Sequence, residues 1–160
     1  SYGAVTRPAT VARAFRLYRA VQEVHEVENP NDTPSDFLRV EFKTEALGEA
    51  TLRGRFAPED YPPGENFTKV AFENDQVRIS RRACAPHKPC DLSPGPSTPG
   101  LLVAFTASRL RSAGAKESAF EPGQTEWLPA GATRAVENLT AAPAEVLLFE
   151  FKTQPLPERP

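Results

Sequence analysis

Along most of the chain apolar residues fall at every second position for short stretches, then give way to Gly, Pro, Asn or Ser. A period of two broken by frequent turn residues marks short, half-buried strands. The pattern predicts strands at 14–18, 22–28, 37–44, 50–56, 70–71, 77–83, 101–106, 109–111, 117–120, 125–128, 134–138 and 145–152. In the last of these Leu147, Phe149 and Phe151 share one face, and Val146, Leu148 and Glu150 share the other. It is apolar on both faces until Glu150 and is expected to lie deep in a sheet. In 37–44, by contrast, Leu38, Val40 and Phe42 oppose Arg39 and Glu41, the pattern of a sheet wet on one side. Only 4–20 has enough Ala and Arg to compete as a helix, and Pro8 among β-branched neighbours argues against that. Residues 57–66 (APEDYPPGEN) and 85–100 (APHKPCDLSPGPSTPG) read as loops, the second long enough to be functional or mobile. The whole implies an all-β antiparallel sandwich or barrel. Its expected core is Val77, Ile79, Leu101, Val103, Phe105, Trp127, Leu147, Phe149 and Phe151.

Two stretches of this pattern are copies of one another. Residues 25–45 (HEVENPNDTPSDFLRVEFKTE) align without a gap on 134–154 (RAVENLTAAPAEVLLFEFKTQ) at a constant offset of 109 residues. Val27/Val136, Glu28/Glu137, Asn29/Asn138, Pro34/Pro143, Leu38/Leu147 and the run Glu41 to Thr44 on Glu150 to Thr153 are identical. An internal repeat constrains the fold before anything else does. Because each copy ends in an apolar strand followed by Lys-Thr, it is a closing hairpin used twice rather than a stacked solenoid unit. One offset predicts one backbone path: 37–44 as the counterpart of strand 146–153, with Asn29 and Asn138 in like turns.

Composition narrows the class without naming a function. A chain of 160 residues is one ordinary domain, or one domain and part of a second. Its 17 prolines and 9 glycines disfavour long helices. No apolar run approaches the roughly 18 residues of a membrane span, and a net charge of -2 with mixed signs draws the chain to neither nucleic acid nor anionic lipid. It reads as soluble, with neither nucleic acid nor membrane as a partner. The chain has no methionine and opens on SYGAV, so it is expected to be processed or excised from something longer. No signal segment is visible, which leaves cytoplasmic and exported locations both open. Cys84 and Cys90 in CAPHKPC allow a small disulfide loop or a reduced pair. Arg53, Arg55, Arg78, Arg81 and Arg82 are expected on a solvated face or a guarded sheet edge.

Residues 123–138, GQTEWLPAGATRAVEN, resemble the second motif of the cupin superfamily, G-x5-P-x-G-x2-H-x3-N, with Gly123, Pro129, Gly131 and Asn138 on the motif. FENDQVRISRRACAP resembles the opening strand of small cupins, LLVAFTASRLR the strand pair ending their first motif, and VLLFEFK their closing strand. The resemblance covers about 69–153 and implies an antiparallel jelly-roll barrel with extra N-terminal strands. Through the repeat, LYRAVQEVHEVEN resembles a degraded second motif, with Ala20 for the proline, Gln22 for the glycine and His25 for the histidine. The implied organisation is that of the C-terminal part of a two-cupin protein. Residues 1–47 would be strands from a degenerate cupin half, 48–68 a connecting strand and Pro-rich linker, and 69–160 the barrel. Sheet edges left open by the missing half point to a homodimer.

Many cupins bind a metal through H-x-H-x3-4-E and the histidine of the second motif. Here the resemblance puts Arg134 at that histidine, Leu101 at the glutamate and the histidine pair among Pro94 to Ser97. None of these donates a lone pair to a metal, and a stable site needs three or four converging donors. The expectation is therefore no metal, no other cofactor and no catalytic residue. The first reading is a non-catalytic cupin-like module serving structure, oligomerisation or small-ligand binding. A second is a metal-dependent enzyme of dioxygenase or sugar isomerase type, its site completed by His25 and a missing segment or partner subunit. A third is a metal-free binder gripping a sugar or carboxylate through Arg134, with Glu126 and Trp127 beside it, because a guanidinium fork suits carboxylates. Against the third stands the pairing of Arg134 with Glu126, which would close a vestigial pocket. His87 beside the two cysteines offers a soft metal site or a Cys/His pair, but C-x2-H-x2-C matches no closed zinc pattern.

Overall fold

A computed structural model describes residues 12–17, 29, 32–44, 54–114 and 116–157. Among the described residues the regular structure is all strand: β1 (Phe15–Leu17), β2 (Gly54–Phe56), β3 (Phe67–Glu73), β4 (Val77–Cys84), β5 (Pro89–Asp91), β6 (Gly100–Ala104), β7 (Ser108–Ser112), β8 (Glu117–Phe120), β9 (Thr125–Leu128), β10 (Ala135–Asn138) and β11 (Ala144–Phe151). From β3 onward the strands build two antiparallel sheets, ordered β3-β4-β11-β6-β9 and β5-β10-β7-β8. The chain crosses repeatedly from one sheet to the other, as a jelly roll does. The fold is an all-β jelly-roll barrel, and β1 pairs with β2 outside it.

Alternation decides what each strand gives to which face. Cys84, Leu102, Val146 and Leu148 of the five-stranded sheet meet Leu92, Leu110 and Val136 from the other side, and this cluster fills the barrel interior. Complete burial of a side chain such as Leu148 stabilises the fold by about 1.5–3 kcal/mol. The outer face carries a second cluster of Val77, Ile79, Val103, Leu147 and Phe149. One row crosses the sheet there in register, Phe72, Ile79, Phe149, Leu101 and Trp127. Phe15, Leu17, Val40 and Phe42 from the N-terminal region lie against it. β11 is central, as its apolar faces predict, and all of its residues from Ala144 to Glu150 are buried.

The turn motif takes the backbone form its residues dictate. Gly123 and Gly131 have φ of 86° and 73°, a left-handed conformation that side-chain-bearing residues rarely adopt. Asn138 is fully buried, and its amide donates to the carbonyls of Cys84 and Ala142, both at 2.9 Å. Its Oδ1 accepts from the Thr140 amide at 3.0 Å. Asn29 likewise donates to the carbonyl of Thr33 at 2.8 Å, the same four-residue reach at the predicted offset.

Several expectations are corrected. Residues 34–43 form no strand, although Val40 and Phe42 do face the sheet. An apolar alternation supplies a face but not a neighbour with which to share backbone hydrogen bonds. Within the 85–100 loop β5 pairs with β10. Trp127 is 57% exposed, since β9 is an edge strand and the outer row ends on it. Arg81 is not solvated but wholly buried on the outer face, paired with Glu145, which is itself buried. Arg53 and the predicted strand 22–28 lie outside the described residues.

Candidate functional site

Two polar clusters interrupt the apolar interior. The first surrounds Arg134, which stands just before β10 and is 9% exposed. Its Nε donates to Glu126 Oε2 at 3.1 Å, and Nη2 lies 3.0 Å from the same oxygen. Nη1 donates to Ser112 Oγ and Nη2 to Ser118 Oγ at 3.3 Å, while the backbone amide donates to Ser93 Oγ at 2.7 Å. Glu126 reaches the guanidinium because it shares the inward face of β9 with Leu128. Three side chains hold the fork, which is how an interior cation becomes tolerable. Trp127, one residue along, points the opposite way and stacks on Phe151 with ring centroids 5.7 Å apart. The structure thus brings Arg134 and Glu126 together and separates Trp127 from them. His25 lies outside the described residues.

A metal does not fit this donor set. The side chains around the guanidinium, Glu126, Ser112 and Ser118, offer one carboxylate and two hydroxyls, short of the three or four converging donors a stable transition-metal site needs. Among the described residues no three or more His, Cys, Asp or Glu side chains gather as a metal site. Cys84 and Cys90 are joined in a disulfide that ties the end of β4 to β5, and His87 beside them is exposed. With both sulfurs bonded to each other, this trio supplies neither a thiolate ligand nor a nucleophile.

The second cluster lies at the other end of the same inner face. Counting back in twos from Cys84 puts Arg82, Ser80 and Arg78 on the inward side of β4, and counting forward from Leu148 puts Glu150 there too. With Ser93 and Gly95 they line a cleft of about 240 Å³. Glu150 Oε1 accepts the Gly95 amide at 2.7 Å. A side chain at Gly95 would come within 3.1 Å of that carboxylate, so glycine is what permits the approach. Arg82 Nη1 donates to the carbonyls of Asp91 and Ser93, at 3.2 and 3.0 Å. Burial pushes the Arg82 pKa below the usual guanidinium value, against the opposing pull of Glu150 and Asp91. Burial alone would raise Asp91, but hydrogen bonds from Ser93 and the charge of Arg82 outweigh it and hold that carboxyl low.

Ser80 Oγ and Arg82 Nε, from two of the lining residues, are shut off from solvent and have no hydrogen-bond partner. An unmet buried polar atom costs about 1–3 kcal/mol. The alternation Arg78, Ser80, Arg82 was visible in the sequence, but a period of two does not tell an inward polar face from a solvated one. The signal that could have found the site is Glu150, a charge near the end of a strand whose centre, Val146 to Phe149, is apolar on both faces.

No family model matches the sequence, and no curated protein matches it. Similar solved structures include a protein of Thermus thermophilus (21% identity, TM-score 0.48, covering 58% of this chain and 89% of that one). A cupin domain from Bordetella pertussis is 16% identical at a TM-score of 0.48, covering 59% of this chain and all of its own. An RmlC-like cupin protein from Desulfovibrio desulfuricans is 10% identical at 0.49, covering 59% of this chain and 90% of its own.

Proposed function

We propose that the chain is a non-catalytic, metal-free cupin-like barrel that serves as a small-ligand-binding and oligomerisation module. The observation that carries this reading is Arg134: a fixed cation, held by Glu126, Ser112 and Ser118, stands where the resemblance would put a ligating imidazole. A guanidinium cannot donate a lone pair and repels a divalent ion. Held this way, Arg134 closes the interior rather than gripping a ligand. The module's pairing surface is the open edge of the outer face, where exposed Trp127 ends the apolar row of Leu101 and Phe149 beyond the segment that covers them. Elemental analysis of gently purified protein tests the first part: less than about a tenth of an equivalent of iron, manganese, nickel or zinc is expected, and one equivalent refutes it. Dilution tests the second. Trp127, the single tryptophan, should emit from a drier environment at high concentration and a wetter one when copies separate, and a concentration-independent spectrum with monomeric sedimentation removes the homodimer.

A further inference from the structure

We infer that two copies of the chain pair edge to edge through β9, antiparallel about a two-fold axis at Trp127, so that their five-stranded sheets join into one. This rests on the oligomerisation reading above and gives it a geometry. Among the described residues β9 pairs with β6 alone and forms one edge of its sheet. The phase of that ladder is fixed, because the Ala104 amide donates to the Gln124 carbonyl at 2.9 Å. In an antiparallel pair, opposed residues exchange backbone hydrogen bonds at every second position. The bonds to β6 therefore belong to Gln124, Glu126 and Leu128, and the N–H and C=O of Thr125 and Trp127 point off the sheet. The far side of β6 agrees: there the Phe105 amide donates to the Glu145 carbonyl at 2.8 Å, one residue out of step, as a strand bonded on both sides requires. Thr125 and Trp127 are both exposed.

A free antiparallel edge is complementary to itself, since a two-fold axis turns each outward donor onto an acceptor of the copy. The axis keeps inner face beside inner face only if it passes through a residue rather than between two. At Trp127 the two amides donate to the two carbonyls across the axis, and the Thr125 amide of each copy faces the Pro129 carbonyl of the other. An axis at Thr125 would instead lay Trp127 against Gly123, whose φ of 86° is not that of a strand. Side chains make the same choice. The row Phe72, Ile79, Phe149, Leu101 and Trp127 runs on into its own copy, and the two indoles meet as a cross-strand aromatic pair. The only charges from 121 to 133 are Glu121 and Glu126. They fall opposite Thr133 and Leu128, so no like charges meet, and Glu126 is held by Arg134. The sheet's other edge, β3, is guarded by a register shift between Val70 and Phe72 and by exposed Lys69.

An edge this short, with one aromatic pair at its centre, should associate with a Kd on the order of 100 µM. The test is amide hydrogen exchange of the full chain, resolved by residue, with sedimentation equilibrium alongside. Between about 10 µM and about 1 mM protein the Thr125 and Trp127 amides should slow by about fourfold, following the loss of free monomer at that Kd. Thr125→Pro removes one intermolecular donor from each copy and none of the bonds to β6, and should weaken association by about tenfold. The exchange measurement uses the parent protein and does not depend on how that variant folds. Association with both amides still exchanging at their dilute rate, or a cooperatively melting Thr125→Pro that associates as tightly as the parent, overturns the edge pairing and leaves the oligomerisation reading standing. Sedimentation as a monomer at about 1 mM refutes both.

Discussion

Replacing Glu145 by glutamine should destabilise the protein by about 3–5 kcal/mol, because it removes the counter-charge of a guanidinium that has no access to water. Glu145 and Arg81 are both 0% exposed, and they bond across the outer face of the sheet between β11 and β4. The same carboxylate holds Arg13 and accepts from Tyr61 at 3.2 Å. Arg81 also donates to the Arg13 carbonyl at 2.9 Å, and its guanidinium lies 5.2 Å from the Phe105 ring centre and 5.9 Å from that of Phe15. The cluster thus joins the barrel to the segment carrying β1. In a chain of this size each kcal/mol moves the melting temperature by about 2–4 °C, so the loss should be about 6–20 °C. Thermal and urea melts of Glu145→Gln read it directly. A buried pair replaced whole behaves differently from a pair broken, so Arg81→Met with Glu145→Leu should cost less than either single change. A single-variant cost below about 1 kcal/mol, or a double variant whose cost is the sum of the singles, would refute the argument.

Asn138→Ala should cost about 1–3 kcal/mol in urea melts, since it strands the buried Cys84 carbonyl and also frees the Ala142 carbonyl and the Thr140 amide; Asn29→Ala at its exposed counterpart should cost less than about 1 kcal/mol, and equal costs would show that burial is not what matters. Reducing the Cys84–Cys90 bridge should cost about 2 kcal/mol on loop-entropy grounds, and slowly, because Cys84 is fully buried; reduction as fast as that of an open thiol pair in a thiol-trapping assay would contradict its placement. Tyr61 is held above the ordinary phenol pKa by burial and then by Glu145, so its neutral form is favoured in the folded state. Its contribution to stability is complete below about pH 10 and is lost as pH rises through the raised folded value. Ultraviolet titration should show one late phenol that disappears in Tyr61→Phe, and a normal titration of Tyr61 would remove the effect.

How much of this was legible depended on range. The strands β4 and β6 to β11 follow from alternation and turn residues, because both are local properties, whereas β5 fell in a segment read as loop. The left-handed glycines at 123 and 131 were legible for the same reason. What escaped was the partner. Arg81 and Arg82 are neighbours of one type in the sequence, yet one is buried outside the sheet with Glu145 and the other faces the interior cleft. Only the strand that docks beside each, and the segment that covers it, decides between solvent, ion pair and ligand. Trp127 failed the other way: its hydrophobicity read as core, and the edge position of β9 left it in the open.

The repeat shows the same division inside one pair of segments. Asn29 and Asn138 each donate to the carbonyl four residues on, so the two copies share that contact. Beyond the turn the copies part. Residues 144–151 are flanked by β4 on one side and β6 on the other, and their backbone is spent in both ladders. In 37–44 the alternation survives while the ladder does not; Lys43 instead accepts the Leu156 amide at 2.7 Å. Phe42 sets its ring edge-on to Phe149 and Phe151 at 6.4 and 5.7 Å, so the first copy lies upon the face of the second, Phe42 against its own sequence counterpart. A turn needs only its own residues, whereas a strand needs a neighbour. The repeated sequence of 37–44 finds no such neighbour, and its Val40 and Phe42 instead cover part of the outer face that Trp127 leaves open at its edge.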